Sequence, residues 1–385
     1  MEMPSLLARR IDDQSVVLLT FKGSRLISIS PAEAQGDLEI PWISPGWIDL
    51  QVNGYEGLDF AAMHAADVAE VTTRLTADGV TRYLPTITTN SFETTHGALK
   101  RIAQALRESP KQAFCIPGIH LEGPYISRVD GPRGAHPLAH CREYSWDEFV
   151  AWQEAAEGKI RLLTLSPEYR GAAEFISRVV ATGVVVAIGH TAANSEQISA
   201  AVGAGATLST HLGNGSHAIL PRHPNYIWDQ LADDRLMASL IADGFHLPPA
   251  TLKSMIKAKG LERCILISDV TSLAGVPPGR YDTGLGEVEV LEDGRLVVAG
   301  QRTLLAGAAL PLEVGVANAM NFAGLNLPQA ISLVTQNPAR LLGLATPSLD
   351  DGRGDLVLLM IRGEAPRQRI HIVGTIQGGE LVYFS

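Results

Sequence analysis

His120-Leu-Glu-Gly-Pro-Tyr125 closes an apolar run from Ala113 to Ile119, and the chain repeats this arrangement further on. Ile188-Gly-His190, Ser209-Thr-His211, Ile241-Ala-Asp-Gly-Phe-His246 and Ile267-Ser-Asp269 each end a short, β-branched-rich apolar run and are followed by loop residues. Polar groups placed one after another at strand C-termini are the pattern of an α/β fold of the (β/α)₈ TIM-like type, in which all strand ends open on one face. A Glu and two His suit a divalent metal, and a separate Asp can serve as a base.

Eight strands are predicted: Trp47–Val52, Thr81–Ile87, Phe114–Leu121, Arg161–Leu165, Val184–Ile188, Ala206–Thr210, Met237–Ala242 and Cys264–Ser268. That is the number a closed barrel needs. Helical patterns fill gaps over Ala65–Ala77, Phe92–Ala105, Ala172–Ala181, Ser195–Val202 and Pro249–Lys259. A late pattern over Pro328–Leu342 is interrupted or divided at Asn337-Pro338. Val288–Leu291 and Arg295–Val298 flank Glu292-Asp-Gly, a hairpin signal. Both ends are strand-rich: Ser15–Phe21 and Arg25–Ser30, then Gly354–Met360, Arg369–Thr375 and Gly378–Phe384. The expectation is a small β-sandwich domain built from residues 1–44 and 352–385, rather than two unrelated extensions, around a barrel domain of residues 45–351.

Composition bounds the partners. At 385 residues and 46% hydrophobic the chain exceeds a bare barrel of about 250 residues. A net charge of −10 with no basic tract argues against nucleic acid. A small anionic substrate still needs only local positive charge. Cys115, Cys141 and Cys264 have no paired spacing, and Cys115 and Cys264 read as buried free thiols in strand-like runs. Met1-Glu-Met-Pro4 lacks the basic and apolar regions of a secretory leader, and no apolar run is long enough to span a bilayer. These features predict a cytoplasmic protein with no membrane partner.

Taken singly, the polar residues have ordinary readings. Glu122 at a strand end can cap a turn, His190 and His211 can be satisfied core histidines, and Asp269 can cap the following segment. Their convergence on one barrel face points instead to an ion held by Glu122, His190 and His211. Zinc suits this nitrogen-and-oxygen set, with an open position for water of pKa about 7. Asp269 is then the candidate catalytic base. His246 and His136 are candidates to hold an anion or polarise a carbonyl.

The motifs Pro45-Gly-Trp-Ile-Asp-Leu-Gln-Val-Asn-Gly54, His120-Leu-Glu-Gly-Pro124, Gly134-Ala-His136, Gly189-His-Thr191, Thr210-His-Leu212 with Asn214, Ile241-Ala-Asp-Gly244 with His246, Ser268-Asp269 and Asn337-Pro-Ala-Arg340 carry a resemblance. In order and spacing, over nearly the whole chain, they resemble the N-acetylglucosamine-6-phosphate deacetylase family of the amidohydrolase superfamily. The resemblance implies metal ligands at Glu122, His190 and His211, a catalytic Asp269, and His136 near the substrate carbonyl. It also implies phosphate contacts at Asn214, Arg222 and His246, a terminal β domain and a homodimer. The expected cofactor is one divalent ion per chain, Zn²⁺ first, with Fe²⁺, Mn²⁺ or Co²⁺ as alternatives.

Two departures from the pattern matter. Where many amidohydrolases carry a His-x-His pair after the first strand, this chain has Gln51 and Asn53, and no strand-end Lys stands out as a carbamate bridge. Neutral amides are poor ligands for a divalent ion beside imidazole, hence one metal. After His211 the family reads aromatic-Asn-Ala-Met and then Arg-Glu-Pro-Gly, whereas here stand Gly213-Asn-Gly-Ser216 and Arg222-His-Pro-Asn225. Asn214 and Arg222 stay in register, and the amides of Gly215 and Ser216 can still donate to phosphate. His223 replaces an acid, and Tyr226 and Trp228 offer surface for a sugar ring. The activity implied is deacetylation of an N-acetyl amino-sugar 6-phosphate. The rival readings are the same reaction on an unphosphorylated or epimeric sugar, a cyclic-amide hydrolase, and a silent sugar-phosphate-binding homologue.

Overall fold

The computed structural model describes residues 5–33, 39–283, 286–349 and 354–385. The leader reading at residues 1–4 and the predicted boundary at 351/352 lie outside the described residues. Eight parallel strands follow one another in chain order: β1 (Trp47–Val52), β2 (Val80–Thr88), β3 (Ile119–Glu122), β4 (Ile160–Leu165), β5 (Val185–Ile188), β6 (Leu208–Ser209), β7 (Met237–Ile241) and β8 (Cys264–Ile267). Closure comes just past the ends of β1 and β8. Val52 bridges Val270 in parallel, and the Asp269 amide donates to the Gln51 carbonyl at 3.0 Å. On its other side β1 pairs with β2, with a register irregularity between Asp49 and Val52.

The barrel holds two kinds of layer. Leu84, Leu162, Ala187, Leu208, Ile265 and Ile267 form an apolar cluster with Ala339 and Leu342. The alternate residues Leu163, Leu165, Val186, Ile188 and Leu266 join the outer core against the helices. This two-residue alternation is what a strand with both faces buried produces. Towards the C-terminal mouth a polar layer takes over: His120 meets Thr86 Oγ1 at 3.3 Å and Thr164 Oγ1 at 2.8 Å, and Thr164 meets Thr210 at 2.7 Å.

Local chemistry sets the helix starts. Asn194 and Gln197 make a reciprocal capping box at Ser195–Gly203, and Ser91 caps Phe92–Glu108. The run read as a strand over Phe114–Leu121 is divided. Ser109 caps and Pro110 starts a helix, Pro110–Cys115, so the strand begins only at Ile119. All three cysteines are buried and free. The late helical pattern breaks before Gln336, earlier than Asn337-Pro338. Pro338 sits in the first turn of Gln336–Leu342, where its missing N–H costs nothing.

Both termini build a second sheet, as the strand-rich ends predict, and it closes into one seven-stranded barrel where two packed sheets of a sandwich were expected. Its order is Leu6–Arg10, Val16–Lys22, Arg25–Pro31, Glu380–Phe384, Arg369–Gln377, Leu356–Arg362 and Trp42–Pro45, which pairs back onto the first strand. The hairpin at Glu292 grows into a four-stranded antiparallel sheet, Gly279–Thr283, Gly286–Val290, Leu296–Val298 and Gln301–Leu305, inserted after β8. No helix among the described residues is long and apolar enough to cross a membrane.

Candidate metal centre and active site

Glu122 ends β3, His190 and His211 follow β5 and β6, and Asp269 follows β8, so the closed sheet brings all four to one mouth. Three of them leave their strands through the left-handed region: φ is 49° at His190, 28° at His211 and 53° at Asp269. Non-glycine residues rarely adopt that backbone, and such strain collects where a side chain must be aimed.

The aim is mutual. Glu122 Oε1 lies 3.1 Å from His190 Nε2 and 2.9 Å from His211 Nε2, and the two imidazole nitrogens are 3.1 Å apart. His190 Nδ1 lies 2.9 Å from the Pro132 carbonyl, which can only accept, so His190 donates there. In the neutral ring the Nε2 lone pair then faces a carboxylate oxygen and a second imidazole. Such a cluster of acceptors needs a cation between them. Three ligands of a tetrahedral zinc with bonds of about 2.0–2.1 Å would stand about 3.3 Å apart, close to the triangle observed. The donor set therefore fits a divalent ion. His136 Nε2 completes a fourth side at 3.2 Å from His190 Nε2, and the ligand atoms of Glu122, His136 and His190 also lie within 4.8 Å of one another. The triangle through His211 is the tighter of the two.

The electrostatics agree. Burial disfavours the Glu122 charge, but the close contacts with His190 and His211 outweigh it and hold the carboxyl well below its usual range. For His211 burial opposes the charged ring, and Glu122 reverses the direction to upward. His136 is pushed down to about 3 by burial and by His190 beside it, so its ring is neutral. Burial and then the charge of Glu122 raise Asp269 to about 6, against the pull of His211, the Asn53 hydrogen bond and His246.

Two glycines make room for the His190 ring. A Cβ on Gly215 would stand 2.6 Å from His190 Nδ1, and one on Gly134 3.2 Å from its Cε1. His246 is held by Asp243, whose Oδ2 is 2.7 Å from His246 Nδ1. Asn214 turns back to the His211 carbonyl at 3.3 Å. Arg222 and His223 are exposed on the following loop, with no side-chain bond to the cluster among the described residues. Tyr226 is buried and donates to or accepts from His217, while Trp228 is exposed.

Several contributors were not singled out from sequence. Asp49, fully buried, accepts the Ser268 amide on both oxygens at 3.3 Å, and burial pushes its carboxyl up to about 7. Glu168 ties Ser127, Ser166 and the Ala192 amide together around the mouth. A carboxylate with a purely scaffolding partner leaves no motif of its own. Asp49 and Asp243 both stood inside quoted runs, Pro45–Gly54 and Ile241–His246, but neither was assigned a role there.

A (β/α)₈ barrel bearing a carboxylate–imidazole cluster and a separate aspartate at its C-terminal mouth defines a metal-dependent hydrolase. Residues 42–373 match the model of the amidohydrolase family, and the chain belongs to that family. It is 34% identical to the Bos taurus N-acetylglucosamine-6-phosphate deacetylase over 368 residues, covering 91% of this chain and 86% of that one. It is also 34% identical to the N-acetylgalactosamine-6-phosphate deacetylase of Escherichia coli O157:H7, over 83% and 81% of the two chains. The solved N-acetyl-D-glucosamine-6-phosphate deacetylase of Mycobacterium smegmatis, a variant in complex with N-acetyl-D-glucosamine-6-phosphate, superposes with a TM-score of 0.84. It is 29% identical and covers 99% of this chain and 100% of its own.

Proposed function

We propose that this protein hydrolyses the acetamide of N-acetylglucosamine 6-phosphate, giving acetate and the amino-sugar phosphate. The observation that carries the reading is the convergence of Glu122, His190, His211 and Asp269 on one mouth, in a chain whose relatives are named as deacetylases of amino-sugar 6-phosphates.

Glu122, His190 and His211 would hold one divalent ion, with zinc the expected metal. Such an ion supplies Lewis-acid polarisation of the amide carbonyl and lowers the pKa of water to about 7. Asp269 takes a proton from the attacking water and delivers it to the departing nitrogen as the C–N bond breaks, which its intermediate basicity suits. His136, neutral, is placed to donate a hydrogen bond to the carbonyl oxygen as charge develops there. His246, Asn214, the Gly215 amide, Arg222 and His223 are the proposed groups for the sugar phosphate. A homodimer in the cytoplasm completes the reading, and light scattering tests the assembly.

The deciding experiment is acetate release from a panel of N-acetyl sugars, gluco and galacto, with and without the 6-phosphate. The account expects preference for the phosphorylated gluco sugar. Equal or better turnover of free sugars would remove the phosphate assignment. Arg222→Lys should then be compared with Arg222→Ala. A lysine cannot copy the two-pronged guanidinium–phosphate contact, so both should raise KM for the phosphorylated sugar alone.

A further inference from the structure

Gln51 and Asn53 stand at the C-terminal end of β1, and both side chains are engaged with Asp269. Gln51 Nε2 donates to Asp269 Oδ1 at 2.9 Å, and Asn53 Nδ2 donates to the same oxygen at 2.8 Å. No donor reaches the other carboxylate oxygen among the described residues. The backbone fixes the arrangement from both sides. Asp269 N donates to Gln51 O at 3.0 Å, and Asn53 N donates to Val270 O at 2.8 Å. Below, Asp49 Oδ1 accepts the Gln51 amide at 3.2 Å while the same carboxylate holds the Ser268 amide. Asn53 leaves its own Oδ1 buried without a partner in order to keep its N–H on Asp269. An amide turned that way presents its N–H to a carboxylate oxygen, which accepts.

We propose that Gln51 and Asn53 are positioning residues for the reaction: they saturate Oδ1 of Asp269 and so assign proton transfer to Oδ2. The inference deepens the proposed deacetylation and rests on Asp269 as its base. Two charge-assisted bonds lock the carboxylate plane, so the oxygen that takes the proton from water is the one that returns it to nitrogen. The charged and titratable groups around it are Glu122, His211, His246 and Asp49.

The test compares Gln51→Met, Asn53→Ala and the double variant with Asp269→Asn in the full-length protein. kcat and KM on N-acetylglucosamine 6-phosphate, the pH dependence of kcat/KM and the bound metal per chain are measured. Each single loss of a donor is expected to lower kcat roughly tenfold to a hundredfold, with KM and bound metal unchanged. The acid limb of kcat/KM should move to higher pH, because the ionised carboxylate loses a donor. Normal kcat with an unmoved acid limb in the double variant overturns the inference, as does loss of metal in step with activity. If Asp269→Asn itself turns over normally, the proposed base is wrong. If only Asp269→Asn is impaired, the base stands and the clamp does not.

Discussion

At the scale of single residues, the site is built by backbone conformations that side chains resist. His190, His211 and Asp269 all have positive φ, at a cost of order 1–3 kcal/mol each, and the aim they achieve is the cluster itself. His190→Ala or His211→Ala should lose metal and turnover together, read by elemental analysis beside acetate release. Asp269→Asn should keep the metal and lose kcat by about 10²- to 10⁴-fold, because the amide cannot take a proton. Retention of near-normal kcat would make Asp269 structural. Gly215→Ala is the subtler case. Its φ of 55° disfavours a side chain, and the new methyl would push into the His190 ring. Weaker metal retention on dialysis is the expected sign, with an unchanged far-ultraviolet spectrum.

At the scale of elements, what the sequence shows depends on whether one residue's neighbours carry the signal. The helices Ala172–Ala181 and Pro249–Lys259 were legible to the residue, because apolar spacing and flanking glycine or proline mark both ends. Phe114 and Cys115 misled, since an apolar run says nothing of its period until Ser109-Pro110 is recognised as a helix start. The convergence of Glu122, His190 and His211 was legible through strand-end position. The Asp269 clamp was not, since a bond between residues 51 and 269 exists only once the barrel closes. The helix Leu312–Ala323 carries another hidden pairing. Glu313 is raised well above its usual range by burial and by the neighbouring Asp78, and Asp78, which accepts from Tyr55, is raised by burial to about 6. Carboxyls whose folded values are raised bind protons more tightly in the folded state. Their effect on stability is therefore most favourable below about pH 4 and is lost as pH rises through 6 and above. Glu313→Gln should raise the melting temperature at pH 8 and change it little at pH 4. A uniform shift at both values would show that charge is not the cause.

At the scale of the molecule, two closed sheets share one chain. The parallel barrel supplies a mouth where eight strand ends meet, and the terminal barrel is stitched to it by Thr375 on the Thr76 carbonyl, Gln377 on the Thr81 carbonyl and the Arg82–Asp355 ion pair. The parallel sheet closes at the junction that carries Gln51, Asn53 and Asp269, so barrel closure and the placement of the proposed base are one event. Where a second ion would need imidazoles, this junction offers two amides already committed to a carboxylate, which is why one ion per chain is expected. The most direct test adds zinc stepwise to chelator-stripped protein and follows acetate release from N-acetylglucosamine 6-phosphate. The account predicts activity rising in proportion to bound metal and levelling at one ion per chain. Activity that levels only at two ions, or no acetate at any loading, would contradict it.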